Sequence, residues 1–174
     1  MLVQSISLDE FNSMVASCEQ RVFRFHLVWS RDVCVARSLT KQTFLWARAG
    51  RETFQKDWAP CVWLLRVAHN LAVSHARSGS NCLFRRLIDG QIISAYVPRL
   101  NESHAAYLVA SSRVMNVWDS VAGLSPEQRS VFILSFIEKF DLQEIASITE
   151  LPLSVVKSDL YSALATIRTY DSRE

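Results

Sequence analysis

Glycine and proline are scarce, four of each in 174 residues, and no glycine-rich loop of the kind that cradles a phosphate is present. Cysteine is sparse and scattered: Cys18, Cys34, Cys61 and Cys82 stand singly, with no CxxC pair of the sort that marks a zinc ribbon or a redox dithiol. The expectation is therefore buried, reduced thiols. Cys61, His69, His75 and Cys82 fit no common ligand spacing, and one straight helix cannot bring all four to a point, so no metal and no cofactor is assigned. No nucleophile and base suggest themselves as a pair, which argues against an enzyme. Long apolar runs are missing too: nothing approaches the roughly 20 residues needed to cross a bilayer. The opening MLVQSISLDEF lacks a basic segment followed by an apolar one. A soluble, cytoplasmic chain without membrane insertion is expected. There is little excess charge of either sign. A net charge of +2 and a pI near 8.4 permit nucleic-acid binding without demanding it.

What the chain does have is apolar residues, 49% of the total, and with so few helix breakers they argue for a folded all-α chain. Its length suits one ordinary domain or two small ones. There are no internal repeats and no low-complexity tracts.

The clearest punctuation lies in residues 125–168. Ser125, followed by Pro126 and three residues later by Gln128, reads as a capped helix start, and Val131, Leu134, Phe136 and Ile137 are its inward residues. Asp141 with Glu144 opens a second, short helix through about Ile148, burying Ile145 and Ala146. Pro152 interrupts, and Ser154 is the natural cap of a third helix carrying Val155, Val156, Leu160, Leu164 and Ile167. Short helix, tight turn and longer helix make a helix-turn-helix.

Upstream, Ser7 precedes a pattern in which Phe11, Val15, Cys18, Val22, Phe25 and Trp29 recur at steps of four and three. The pattern pauses at Ser30–Asp32 and resumes to about Arg48, with Ala36, Leu39, Thr43, Phe44 and Ala47 inward. Residues 49–58 break the periodicity at Gly50 and put Arg51, Phe54, Lys56 and Trp58 on a loop. A third helix begins near Ala59 or Pro60 and stops at Ser78, Gly79 and Ser80.

The segment LSPEQRSVFILSFIEKFDLQEIASITELPLSVVKSDLYSALATIR resembles the C-terminal DNA-binding domain of the extracytoplasmic-function sigma factors of bacterial RNA polymerase, with EIA and LPLSVVKS as its core. ARSLTKQTFL, the aromatic-bearing loop and WLLRVAHNLAVSHARS resemble that family's N-terminal segments, in the family's order. The resemblance covers about residues 8–82 and 120–170. It implies two small helical domains: a region-two-like bundle over 1–82 and a region-four-like helix-turn-helix domain over 120–174. Residues 83–119 form a linker, within which 103–119 lead into the second domain as a helix.

The resemblance also implies an alternative sigma factor that binds core RNA polymerase and promoter DNA and is held by an anti-sigma factor. By position, Arg37, Ser38, Lys41 and Gln42 would meet the polymerase clamp. Arg51, Phe54, Lys56 and Trp58 on the loop, and Arg66, His69, Asn70 and Arg77 on the third helix, would meet the minus-ten element. There, aromatic pockets receive an unstacked base and cations its phosphates. Trp63 falls on a packing position. Ser154, Val155, Lys157, Ser158, Tyr161 and Ser162 would meet the minus-thirty-five element, with Arg129 and Arg168 as further backbone contacts.

Several positions depart from the family pattern. Arg37 and Ser38 replace an acidic pair, Lys41 and Gln42 replace Gln and Glu, and Ser74 replaces Asp. Asp159 stands where Arg is common, and an acidic group facing phosphate weakens binding. Glu150 takes a turn position where Gly is usual, strained if its φ is positive. A second reading stays open beside the first: a sigma-like interaction protein that binds an anti-sigma factor or regulator without directing transcription.

Overall fold

Four of the six α-helices among the described residues start at a side chain that finds an orphan amide. In the computed structural model, which describes residues 6–54, 58–77 and 120–171, Ser7 accepts from the Glu10 amide while the Glu10 carboxylate accepts from the Ser7 amide at 2.8 Å. This reciprocal pair opens α1, Leu8–Ser30. The chain turns through Arg31 in the left-handed region, φ 57°, and Asp32 accepts from Val35 N–H to start α2, Val33–Ala49. A single 3-10 turn, Arg51–Thr53, precedes α3, Pro60–Arg77, whose first residue has no amide to satisfy. Ser125 with Gln128 opens α4, Pro126–Phe136, and Asp141 with Glu144 opens α5, Leu142–Thr149, both through reciprocal boxes. The last helix, α6, is Leu153–Asp171. It starts two residues earlier than its sequence suggests: the Pro152 carbonyl accepts from Val155 and Val156, so Ser154 lies in the first turn, exposed, rather than capping it.

No strand occurs among the described residues, and the fold is all-α. The expected linker at 83–119, the helix at 103–119, Cys82 and Lys56 lie outside the described residues. Helices α1, α2 and α3 pack as one bundle, with Phe11, Val15, Cys18, Val22, Phe25, Trp29, Ala36, Leu39, Thr43, Phe44 and Ala47 all inside, as their spacing requires. Helices α4, α5 and α6 form the second unit around Val131, Ile133, Leu134, Ile145, Ile148 and Val156. Each fully buried Leu or Ile contributes about 1.5–3 kcal/mol relative to exposure. Phe136, expected inside, is 39% exposed and stacks on Phe132 with centroids 4.9 Å apart. It sits at the last residue of α4, where one further step around the helix turns it off the core face.

The two units share one apolar core. Helix α3 packs on α5, and α1 and α3 both reach α4, so Leu64, Leu65 and Ala68 continue into Val131, Ile145 and Ile148 without a solvent gap. Helix α1 accounts for this in its sequence: VFRFHLVW, residues 22–29, is buried on almost every side. A helix apolar all round is one packed between layers.

Two of the four thiols correct the expectation of reduced cysteines. Cys18 on α1 and Cys61 on α3 form a disulfide with Cα atoms 5.5 Å apart. Residues 43 apart in sequence meet where α1 crosses the start of α3, a juxtaposition that no cysteine spacing reveals. Cys34 is exposed and free. Closing a 43-residue loop stabilises a fold by about 4 kcal/mol in the chain-entropy account. Alkylation of the native, unreduced protein is therefore expected to modify Cys34 and spare Cys18 and Cys61, and reduction to lower the unfolding free energy by up to about that amount. Labelling of Cys18 in the native chain would contradict the pairing.

Candidate nucleic-acid interface

Helices α5 and α6 meet across Glu150, Leu151 and Pro152. Glu150 adopts φ 58° and ψ 24°, the left-handed conformation that glycine takes without strain. That turn delivers α6 with Ser154, Val155, Lys157, Ser158, Tyr161 and Ser162 all in solvent, Tyr161 at 71%. Steps of three and four residues set these side chains along one side of the helix, while Val156 and Ala163 anchor the other. The exposed side thus carries hydroxyls, a phenol and one ammonium, a donor-rich strip suited to phosphate oxygens and base edges. Asp159, which the sequence set against phosphate, is half-buried instead. Burial, and then the Glu127 carboxylate, raise its pKa.

On α2, Arg37 is exposed and Ser38, Lys41 and Gln42 are half-buried, with Gln42 donating to the Ser38 carbonyl at 3.3 Å. Trp46 stands 47% exposed on the same helix. In the following turn Arg51 donates to the Arg48 carbonyl. Phe54 is buried, its ring edge-on to Trp63 at 5.2 Å, where it closes the bundle. Trp58 is half-buried under the Arg66 guanidinium, 4.8 Å from the ring centroid. Beside these aromatics lies an open, largely apolar cavity of about 290 Å³ lined by Ile6, Glu10, Met14, Phe54, Trp58 and Pro60.

Helix α3 is where the arrangement departs most from a free binding surface. Asn70 is exposed, but Arg66 donates to the Ser147 carbonyl at 3.0 Å and lies 3.5 Å from the Glu150 carboxylate. Arg77 pairs with Glu127. His69 is 4% exposed beneath them, and burial pushes its pKa down to about 4. The Glu127 and Glu150 carboxylates pull it up and Arg77 pushes it further down. The ring is neutral in this arrangement and offers no charge to a phosphate. His26, in the core of the first unit, is driven lower still, to about 3, by burial and then by His75. The Thr43 hydroxyl donates to the Leu39 carbonyl, so it accepts from His26 Nε2 at 2.9 Å, and Nδ1 is buried with no hydrogen-bond partner among the described residues.

The ion pair at the centre of the joint between the two units was not singled out in the sequence. Arg24 on α1 grips Glu138 through two bonds of 2.6 and 2.7 Å, with Arg21 at 3.8 Å. The Glu138 side chain is wholly buried, and the pairing raises the Arg24 pKa. Trp29 donates its indole N–H to Ser130 at 3.2 Å. Arg129, expected at the DNA backbone, lies over the Trp29 ring at 5.0 Å and donates to the carbonyls of Trp29, Val121, Ala122 and Leu124. One signal was available: Arg21 and Arg24 lie three apart on a helix otherwise apolar at that level, a place where a cation needs a partner.

Residues 115–167 match the family model described as "Sigma-70, region 4". Over 168 residues the chain is 26% identical to the ECF RNA polymerase sigma factor BldN of Streptomyces coelicolor, covering 94% of this chain and 61% of that protein. Over 161 residues it is 26% identical to the "Probable RNA polymerase sigma factor RfaY" of Xanthomonas campestris pv. campestris, covering 91% and 39%. The chain thus spans less than two thirds of the length of these relatives. The fold is similar to that of the sigma factor RpoE of Bartonella quintana in its complex with the anti-sigma factor NepR. The TM-score is 0.69 at 18% identity, over 95% of this chain and 98% of that one. It is also similar to CnrH in complex with the cytosolic domain of CnrY, with a TM-score of 0.65 at 15% identity over 97% and 91%.

The two buried rings set a pH dependence. Below about 6.5 the unfolded chain takes up protons that His26 and His69 refuse when folded, so stability is full above that pH and falls on acidification. The loss ends near pH 4 for His69 and near 3 for His26, at about 1.4 kcal/mol per pH unit per ring. Urea unfolding at a series of pH values is expected to show this decline, with its slope roughly halved in a His69→Gln chain. A flat curve from pH 7 to 5 would contradict the burial of both rings.

Proposed function

We propose, from the premise that the chain belongs to the extracytoplasmic-function sigma-factor family, that it is an alternative sigma factor which binds core RNA polymerase and directs promoter recognition. Its role is to position DNA on a polymerase that supplies the chemistry, with no catalysis of its own, and its place is the cytoplasm. The observation that carries the reading is the α6 strip: six side chains, Ser154, Val155, Lys157, Ser158, Tyr161 and Ser162, exposed together at the start of the second helix of a helix-turn-helix.

In this reading residues 120–174 take the minus-thirty-five element, residues 1–82 the clamp and the minus-ten element, and 83–119 connect them. Arg37, Ser38, Lys41 and Gln42 on α2 face the polymerase. Arg51, Lys56 and Asn70 meet the melted strand, Arg66 and Arg77 join them once freed from Ser147, Glu150 and Glu127, His69 packs beneath, and the cavity beside Phe54 and Trp58 receives an unstacked base. No helix among the described residues is long and apolar enough to cross a membrane.

A second reading, a sigma-like protein that binds an anti-sigma factor or regulator without directing transcription, draws on a specific observation. The cations of α3 are paired within the chain. Two solved structures of similar fold are described in complexes, one with the anti-sigma factor NepR and one with the cytosolic domain of CnrY, and we extend a partner of the anti-sigma kind to this chain under either reading.

The readings part in a reconstituted system: core polymerase, a supercoiled template pool of upstream fragments, and transcript starts mapped with and without the chain. New starts that depend on the chain support the sigma factor, and tight binding of a protein partner with no new starts supports the second reading. Within the first, Lys157→Ala is expected to weaken promoter binding and flatten its salt dependence by about one unit of log–log slope, while core binding is unchanged. Equal occupancy by the variant would remove Lys157 from the DNA contact.

A further inference from the structure

The α3 side chains given to DNA above are already engaged by the second half of the same chain. Arg66 meets the Ser147 carbonyl and the Glu150 carboxylate, and Arg77 meets the Glu127 carboxylate. His69 is shut beneath them. A carboxylate on a guanidinium is the same chemistry as a phosphate on a guanidinium. We infer that the chain is self-occluding: Glu127 and Glu150 stand in for promoter phosphates on α3, and the buried Arg24–Glu138 pair fastens the two halves in that arrangement. The inference rests on α3 being a nucleic-acid face, and it adds what competes for that face and what releases it.

Two features single out the residues involved. Glu138 is 1% exposed, yet among the described residues its carboxylate meets Arg24 and Arg21 of the first half and no group of its own half. Its burial thus serves the joint and not the fold of the helix-turn-helix. Glu150 holds a left-handed backbone where glycine would be relaxed, and its side chain reaches Arg66 from there. The pairs on α3 also differ from the fastener in kind. Arg77 is 71% exposed and the Glu150 side chain 53%, so these contacts are weak, screened by salt and open to exchange with phosphate. The Glu138 carboxylate is shielded from both water and salt, so of the ion pairs between the halves this one exchanges least readily, and it acts together with the shared apolar core.

The test uses the full chain. Glu138→Arg sets a cation against Arg24 and Arg21 and leaves every proposed DNA residue in place. Small-angle scattering reports the radius of gyration, and fluorescence anisotropy reports binding of a fluorescein-labelled, mixed-sequence single strand of about 15 nucleotides at low salt. The variant is expected to expand by several ångström with its helical circular dichroism retained, and to bind the strand about tenfold tighter as the competent population rises. Restoring the pair by a charge swap, Arg24→Glu with Glu138→Arg, is expected to return the chain to the smaller radius and the weaker binding. A Glu138→Arg chain as compact as its parent and no tighter in binding would overturn the inference, as would a parent that already binds as tightly as the expanded variant. Expansion with no binding by either chain would overturn it differently: the fastener would stand, while the reading of α3 as a nucleic-acid face would fall.

Discussion

A carboxylate taken wholly out of water needs a cation, and Glu138 finds two. Arg24 holds it through both oxygens and Arg21 stands behind. Breaking a buried pair costs roughly 3–5 kcal/mol because one charge is left uncompensated. Here the cost is lower, since the Arg24 side chain keeps 37% of its surface in solvent. Around this pair the rest of the joint is arranged. Trp29 reaches Ser130, Arg129 covers Trp29 and ties down the carbonyls ahead of α4, and the apolar faces of α3 and α5 close over Leu64, Leu65, Ile145 and Ile148. The surfaces that remain outside, on α2 and on α6, are those the joint leaves free.

The local parts of this structure were legible in the sequence because their causes are local. Ser125 with Gln128 and Asp141 with Glu144 cap helices through contacts three residues long, and both boxes form. The inward positions of α1 and α2 follow from a 3.6-residue period. The positive φ of Glu150 was readable as a conditional strain and is observed. The exposed side of α6 likewise follows from spacing alone, apart from Asp159, whose neighbour Glu127 belongs to another helix.

What was not legible depends on partners far apart in the chain. The Cys18–Cys61 bond joins residues whose meeting is fixed by how α1 crosses α3. Arg24 and Glu138 are separated by 114 positions, and nothing near either residue names the other. Phe54 looked like an open loop aromatic and proved to be a lid on Trp63. Arg66 and Arg77 looked like free cations on a helix face, and the second half of the chain supplies their counter-charges. In each case the deciding contact crosses between elements, which periodicity and capping do not encode.

The account makes binding a question of exchange. Promoter phosphates and the chain's own carboxylates compete for the same guanidinium groups, and the buried pair together with the shared apolar core sets how often the halves part. The most direct test is the distance between the halves, read by spin labels on exposed Asn12 of α1 and exposed Ala165 of α6, first in the free chain and then with core polymerase and promoter DNA. The account predicts one short, narrow distance in the free chain and a longer one once polymerase and DNA are bound. The same short distance in both states would contradict it, because α3 would then remain covered while the promoter is engaged.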